Sequence, residues 1–113
     1  MDELVAQVAA RTGVDPVTAR KAVIVMLRFL LNEGKSDKVG ALVDALPGAR
    51  EAIGTAKGAS GLMGVFGELT SAGLGMTQVQ SVARAFMAVA KEKAGAGDVD
   101  QIIGSIPGLR QFV

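Results

Sequence analysis

The sequence contains no cysteine, histidine, tryptophan or tyrosine, and phenylalanine is its only aromatic residue. Without cysteine and histidine, the chain has no thiol or imidazole to bind a metal ion, form a disulfide or act as a nucleophile or general base. None of its serines is followed by a lysine at the third position, the arrangement that replaces a histidine base in some serine enzymes. We therefore expect no catalytic residues, no metal site and no cofactor, and a core built from aliphatic side chains.

Blocks of one charge and long hydrophobic runs are also missing. Twelve basic and eleven acidic residues are spread along the 113 residues and give a net charge of +1. Binding to nucleic acid through phosphates needs a basic face, so nucleic acid is not the expected partner. The longest apolar run, Ala22 to Leu27, falls far short of the ~20 residues of a membrane span, and Met1-Asp2-Glu3 lacks the basic start of a signal peptide. We expect a soluble, cytoplasmic protein with no membrane partner.

Hydrophobic residues recur at spacings of three and four, and no stretch alternates with a period of two. This periodicity predicts an all-α fold. Gly13 marks the end of a first helix, and Asp15 with Pro16 forms a good start for a second, because aspartate caps a helix and proline suits its first position. The helices of the N-terminal part are predicted at about 2–12, 16–33, 37–45 and 47–53.

The second half of the chain is similar to the first, which indicates an internal repeat. The small and polar residues 54–60 separate the two halves and are typical of a linker. Residues 1–53 align without a gap on residues 61–113. Only six of the 53 aligned positions are identical, but the hydrophobic phase and a Pro-Gly-x-Arg turn are shared. We predict a single compact domain over 1–113, a bundle of roughly six to eight helices built from two similar halves related by a pseudo-two-fold axis. The alternative is that composition alone produced two similar helical stretches.

The second helix of the first half is more apolar than its counterpart. Val17, Ile24 and Leu31 lie seven residues apart, so they share one face, and each replaces a polar residue of the second half. A helix that is apolar all round must be covered on both sides, either by its own chain or by another one. The predicted interface residues are Val17, Arg20, Ile24, Arg28 and Leu31, and the predicted partner is a second copy in a homodimer or an unidentified protein.

Glycines at 58, 61, 64 and 67 recur every three residues where the second half begins. Glycine weakens a helix by up to ~1 kcal/mol per residue. Two interpretations stay open for segment 54–67: a linker leading into a loosely held helix packed closely against another backbone, or a mobile lid over a hydrophobic pocket.

Three short motifs in order along the chain resemble a small bacterial helical family, the VcgC/VcgE-like domains of unknown function. They are Thr12-Gly13-Val14-Asp15, Ala45-Leu46-Pro47-Gly48-Ala49 and Ala72-Gly73-Leu74-Gly75-Met76, with a glycine-rich stretch between the last two. The resemblance spans nearly the whole chain. It implies an all-helical domain and lends no activity.

Residues 3–30 resemble the opening helical hairpin of bacterial histone-like DNA-bending proteins, and Ala9, Gly13 and Asp15 resemble a helix-turn-helix corner. The match covers about a quarter of the chain, and nothing after Gly34 resembles the β-sheet of that family. The expected function is therefore a non-catalytic, self-associating or partner-binding helical module. DNA binding through the helix-turn-helix-like N-terminal corner is the alternative.

Overall fold

Eight α-helices make up most of the residues that the structure, a computed structural model, describes: 1–34, 36–54, 61–106 and 108–112. No β-strand is present in these ranges, so the predicted all-α bundle is confirmed. Residues 55–60 of the predicted linker lie outside the described ranges. The helices are α1 (Asp2–Thr12), α2 (Pro16–Glu33), α3 (Ser36–Asp44), α4 (Ala49–Ile53), α5 (Gly61–Ser71), α6 (Met76–Ala94), α7 (Ala96–Ser105) and α8 (Leu109–Phe112).

The helix boundaries follow the capping signals in the sequence, with one exception. Helix α1 ends at Gly13, which adopts a left-handed φ of 73° and donates its N–H to the carbonyl of Ala9. The fourth helix was predicted to open at Pro47 but begins at Ala49. The reason is Gly48, whose φ of 80° lies outside the helical region, so the chain makes a turn before α4.

The core is apolar throughout the described residues, among which no polar or charged residue is buried. The two long helices, α2 and α6, supply much of it. Since phenylalanine is the only aromatic residue, most of this interior consists of Leu, Ile, Val, Ala and Met. The largest fully buried side chains include Phe29, Phe86, Leu4, Met26 and Leu27.

The two halves have matching helices and matching buried positions at an offset of 60 residues. Helices α1 to α4 correspond in order to α5 to α8, and Gly13 and Gly73 both have positive φ, as do Gly48 and Gly108. These matches support the predicted repeat. Equivalent buried pairs include Ala19 and Val79, Val23 and Ala83, Met26 and Phe86, Val39 and Val99, and Leu42 and Ile102.

The halves interlock rather than pack as separate units. Helix α1 packs on α6 of the second half, α5 packs on α2 of the first, and α3 packs on α7. Lys38 and Asp98, which are 60 residues apart, form an ion pair of 3.2 Å. Equivalent residues of two similar halves contact each other where they lie beside the pseudo-two-fold axis that relates the halves.

Polar contacts join elements of different halves at the surface. Glu3 binds Lys93 with an Oε1–Nζ distance of 2.7 Å, and Arg11 binds Glu92 at 3.2 Å, so two ion pairs connect α1 to α6. The hydrogen bond from Lys93, together with its charge, lowers the pKa of Glu3. None of the helices in the described ranges combines the length and the apolar character that crossing a membrane requires.

We expect Gly67→Ala to raise the free energy of unfolding by about 0.5–1 kcal/mol, because alanine favours a helix and restricts the unfolded chain. Gly67 is exposed within α5, and a Cβ atom there would meet no other atom within 4 Å. The measurement is urea denaturation followed by circular dichroism. Gly34→Ala is the opposite control: its Cβ would lie 2.8 Å from the Leu30 carbonyl oxygen, so it should destabilise. Destabilisation by Gly67→Ala would contradict this account of α5.

We expect Glu3→Gln to reduce the loss of stability on acidification. A carboxylate with a lowered pKa stabilises the fold above its ordinary pKa, and that contribution disappears as the pH falls through the lowered value. The urea midpoint measured between about pH 6 and pH 3 should therefore change less in the variant than in the wild type. Glu68→Gln is the control, since Glu68 is exposed on α5 and forms no ion pair with any described residue. An unchanged profile for Glu3→Gln would contradict the prediction.

Candidate interaction surface

The corner between α1 and α2 is held by hydrogen bonds from short polar side chains. The Thr12 hydroxyl donates to the Val8 carbonyl at 2.7 Å and accepts the Val14 N–H at 3.3 Å. One residue later, Asp15 Oδ1 accepts the Val17 N–H at 2.7 Å and caps α2. These bonds fix where the first turn of α2 lies relative to α1.

A groove of about 760 Å³ lies between α1 and the first turns of α2. Its volume falls within the ~300–1,000 Å³ typical of ligand pockets, although it is open to solvent along its length. Alanine side chains of α1 form its floor, and its charged groups are few. The lining residues are Asp2, Val5, Ala6, Ala9, Ala10, Gly13, Val14, Asp15, Pro16, Val17 and Arg20.

Two of the predicted interface residues, Val17 and Arg20, line this groove. Val17 is 65% exposed, a high value for a large aliphatic side chain. Arg20 Nη1 lies 3.0 Å from Asp2 Oδ1 and forms an ion pair with it. Beyond this ion pair begins a smaller, more polar cavity of about 370 Å³, which Glu51 also lines. The Asp2–Arg20 pair therefore marks one end of the apolar groove.

The other three predicted interface residues do not lie on an open surface. Ile24 and Leu31 are half-buried and pack against the core of their own chain. Arg28, also half-buried, donates from Nε to the Ile53 carbonyl at the end of α4, at 2.9 Å. Helices α4 and α5 both pack on α2. The structure thus separates the five residues into an exposed pair in the groove and a covered group of three.

The equivalent positions of the second half are open to solvent. Thr77, Arg84 and Lys91 are exposed, and Lys91 forms an ion pair of 3.3 Å with Asp100. Helix α2 is therefore covered by other helices at the apolar residues Ile24 and Leu31, whereas α6 is exposed to solvent at the equivalent positions. Val17, in contrast, is not covered by another helix and is exposed to solvent.

Sequence reasoning missed Ala6 and Ala10 of the groove floor and assigned Ala9 only to the helix-turn-helix-like corner. Ala6 and Ala10 are exposed, and Ala9 is half-buried. Their spacing, with Gly13 continuing the series, is a stripe of small residues along one helix. That spacing was the available signal, but a stripe of alanines becomes a groove only once α2 is placed beside it.

The described residues hold no cluster of three or more acidic side chains able to hold a metal ion. Of the arginines on α1 and the first turns of α2, Arg11 forms an ion pair with Glu92 and Arg20 forms one with Asp2. Lys21 is exposed nearby. The corner therefore offers little unpaired positive charge to a phosphate backbone.

Comparison of the chain with models of protein families, with curated proteins and with solved structures finds no match. The resemblances to the VcgC/VcgE-like domains and to the histone-like proteins remain predictions. The functional proposal therefore rests on the fold and the groove.

We expect substitutions by the equivalent residues of the second half to separate exposed from covered positions. Val17→Thr should change the free energy of unfolding by less than about 0.5 kcal/mol, because Val17 is exposed. Ile24→Arg and Leu31→Lys should each destabilise by about 1–3 kcal/mol, because they place a charge in a half-buried apolar contact. Urea denaturation of the three variants measures this. A loss at Val17 as large as at Ile24 would contradict the assignment.

Proposed function

We propose that the protein is a non-catalytic interaction module that binds a helix of a partner protein in the groove between α1 and α2. The observation that carries this proposal is the apolar groove of about 760 Å³ with Val17, 65% exposed, on its edge. An exposed large aliphatic side chain beside an apolar groove floor does not stabilise an isolated chain. Removing both from water favours association.

The shape of the groove suits a helix. It is a furrow between two helices, and its floor is made of Ala6, Ala9 and Ala10. Side chains this small let the axis of a third helix approach to the lower end of the usual range of about 8–10 Å. An amphipathic helix presents apolar residues at positions i, i+3, i+4 and i+7, which would lie along such a furrow.

The charges of the groove support binding rather than catalysis. Among the described residues that line it, the titratable ones are Asp2, Asp15 and Arg20, and all three are exposed. Asp2 and Arg20 form an ion pair, and Asp15 caps α2. We do not propose DNA binding, because Arg11 on α1 and Arg20 on α2 form ion pairs with carboxylates.

We expect an amphipathic model helix to bind in this groove. The measurement is amide chemical-shift mapping by NMR on the full chain, titrated with a helical peptide of leucine, alanine and glutamine that carries leucines on one face. Shifts should concentrate around Ala6, Ala10, Gly13 and Val17. Ala10→Glu should weaken the peptide's affinity by at least ~10-fold, because the charge would have to be buried on binding.

The matched control is Ser81→Glu, which places the same charge on the exposed face of α6 and should leave affinity unchanged. Shifts that spread equally over the α6 face and the groove, or no shifts at all, would count against the proposed function.

A further inference from the structure

Methionine supplies every sulfur atom in this chain. Cysteine and methionine are the residues whose sulfur atoms peroxides oxidise, and the sequence has five methionines and no cysteine. Tyrosine, tryptophan and histidine, whose rings are also open to oxidation, are absent as well. A two-electron oxidant such as a peroxide is therefore expected to react with this chain at its methionine sulfur atoms.

The fold divides the five methionines into two that are exposed and three that are buried. Met63, in the first turn of α5, is 84% exposed, and Met76, the first residue of α6, is 71% exposed. Met1, Met26 and Met87 are each 5% exposed or less. Oxidation requires the dissolved oxidant to reach the sulfur atom, so burial protects three of the five methionines.

The two exposed methionines replace residues that contribute to the structure of the first half. At the equivalent positions, Glu3 forms an ion pair of 2.7 Å with Lys93, and Pro16 is the first residue of α2. Among the described residues, neither Met63 nor Met76 belongs to the core or to the side chains packed against it. A change from an apolar to a polar group at these two positions therefore removes no buried apolar contact.

We infer that Met63 and Met76 are reversible oxidation sites, at which a peroxide converts the thioether to a sulfoxide while the protein stays folded. A lone pair of the sulfur forms a bond to one peroxide oxygen, and the O–O bond breaks. The hydrogen on the transferred oxygen passes to the leaving oxygen, which departs as water when the oxidant is hydrogen peroxide. The sulfur loses two electrons and the peroxide gains them. Neither methionine lines the groove, so this inference is independent of the proposed function.

The return to the thioether needs a reductant from outside the chain, which has no cysteine to supply a thiol. Two thiols reduce a sulfoxide to the thioether and form a disulfide and one water molecule. Methionine sulfoxide reductases catalyse this reaction, with a separate enzyme for each sulfoxide epimer. The exposure of Met63 and Met76 leaves both sulfoxides accessible to such enzymes.

The test is oxidation of the full chain with hydrogen peroxide at neutral pH, followed by intact-mass and peptide mass spectrometry. We expect a mass gain of two oxygen atoms, about 32 Da, with Met63 and Met76 oxidised at least ~10-fold faster than Met26 and Met87. The urea midpoint of the doubly oxidised protein should equal that of the untreated protein, because no buried contact is lost. Reductases for both epimers, with dithiothreitol as the thiol, should then restore the original mass.

The matched control is the double variant Met63→Leu with Met76→Leu, because leucine is apolar, similar in volume and not oxidised by peroxide. The folded double variant should gain no oxygen in the time that saturates the wild type. Oxidation in concentrated urea is the second control. There the buried methionines should react as well, and the refolded product should be less stable, because a sulfoxide at Met26 would lie in the core.

Equal oxidation rates for buried and exposed methionines in the folded chain would overturn the inference. A double variant that gains oxygen as fast as the wild type would overturn it too. So would unfolding caused by oxidation of Met63 and Met76, or sulfoxides that the reductases leave unchanged, because the inference requires a product that is folded and reducible. None of these results would alter the expected binding of a helix in the groove.

Discussion

Each long helix depends on the first helix of the other half to cover it. Helix α1 packs on α6 and α5 packs on α2, and the buried side chains Leu4, Val8, Val65 and Leu69 come from these two covering helices. With little aromatic surface available, the core gains its apolar area from many small aliphatic contacts, which require closely packed helices. The covering helix of each half packs on the long helix of the other half, so the fold of one half requires the presence of the other.

The two halves match in their interiors, whereas their surfaces differ. Buried positions of α2 and α6 agree at the 60-residue offset, while exposed Val17 stands opposite Thr77 in the alignment. The residues of the groove floor also differ between the two halves. Phe66 and Thr70 occupy the positions equivalent to Ala6 and Ala10, and Phe66 is half-buried. Larger side chains thus stand in the second half where the first half has the groove floor. The proposed binding surface belongs to the first half because of these substitutions and not because of the fold.

Local signals in the sequence were sufficient for most helix boundaries. Gly13, Asp15 and Pro16 act through their own backbone and nearest neighbours, so their effect can be inferred without tertiary structure. The covering of Ile24 and Leu31 could not be inferred in this way. Whether those residues face solvent depends on α4 and α5, which lie further along the chain. The groove shows the same limit, because an alanine on α1 is unremarkable until α2 lies beside it. Val17 was found because an apolar residue stood out against its polar counterpart, and Arg20 was found because it borders the same face of the helix.

The ion pair between Lys38 and Asp98 bears on how copies of the chain can associate. Because these residues are 60 apart and equivalent in the repeat, pairing the first half of one copy with the first half of another would set lysine against lysine. Pairing two second halves would set aspartate against aspartate. Both arrangements bring like charges together, whereas the pairing within one chain joins opposite charges. Pairing of like halves from two copies is therefore disfavoured at this contact. The groove of α1 and α2 contains neither residue, so a partner helix bound there would leave this ion pair in place.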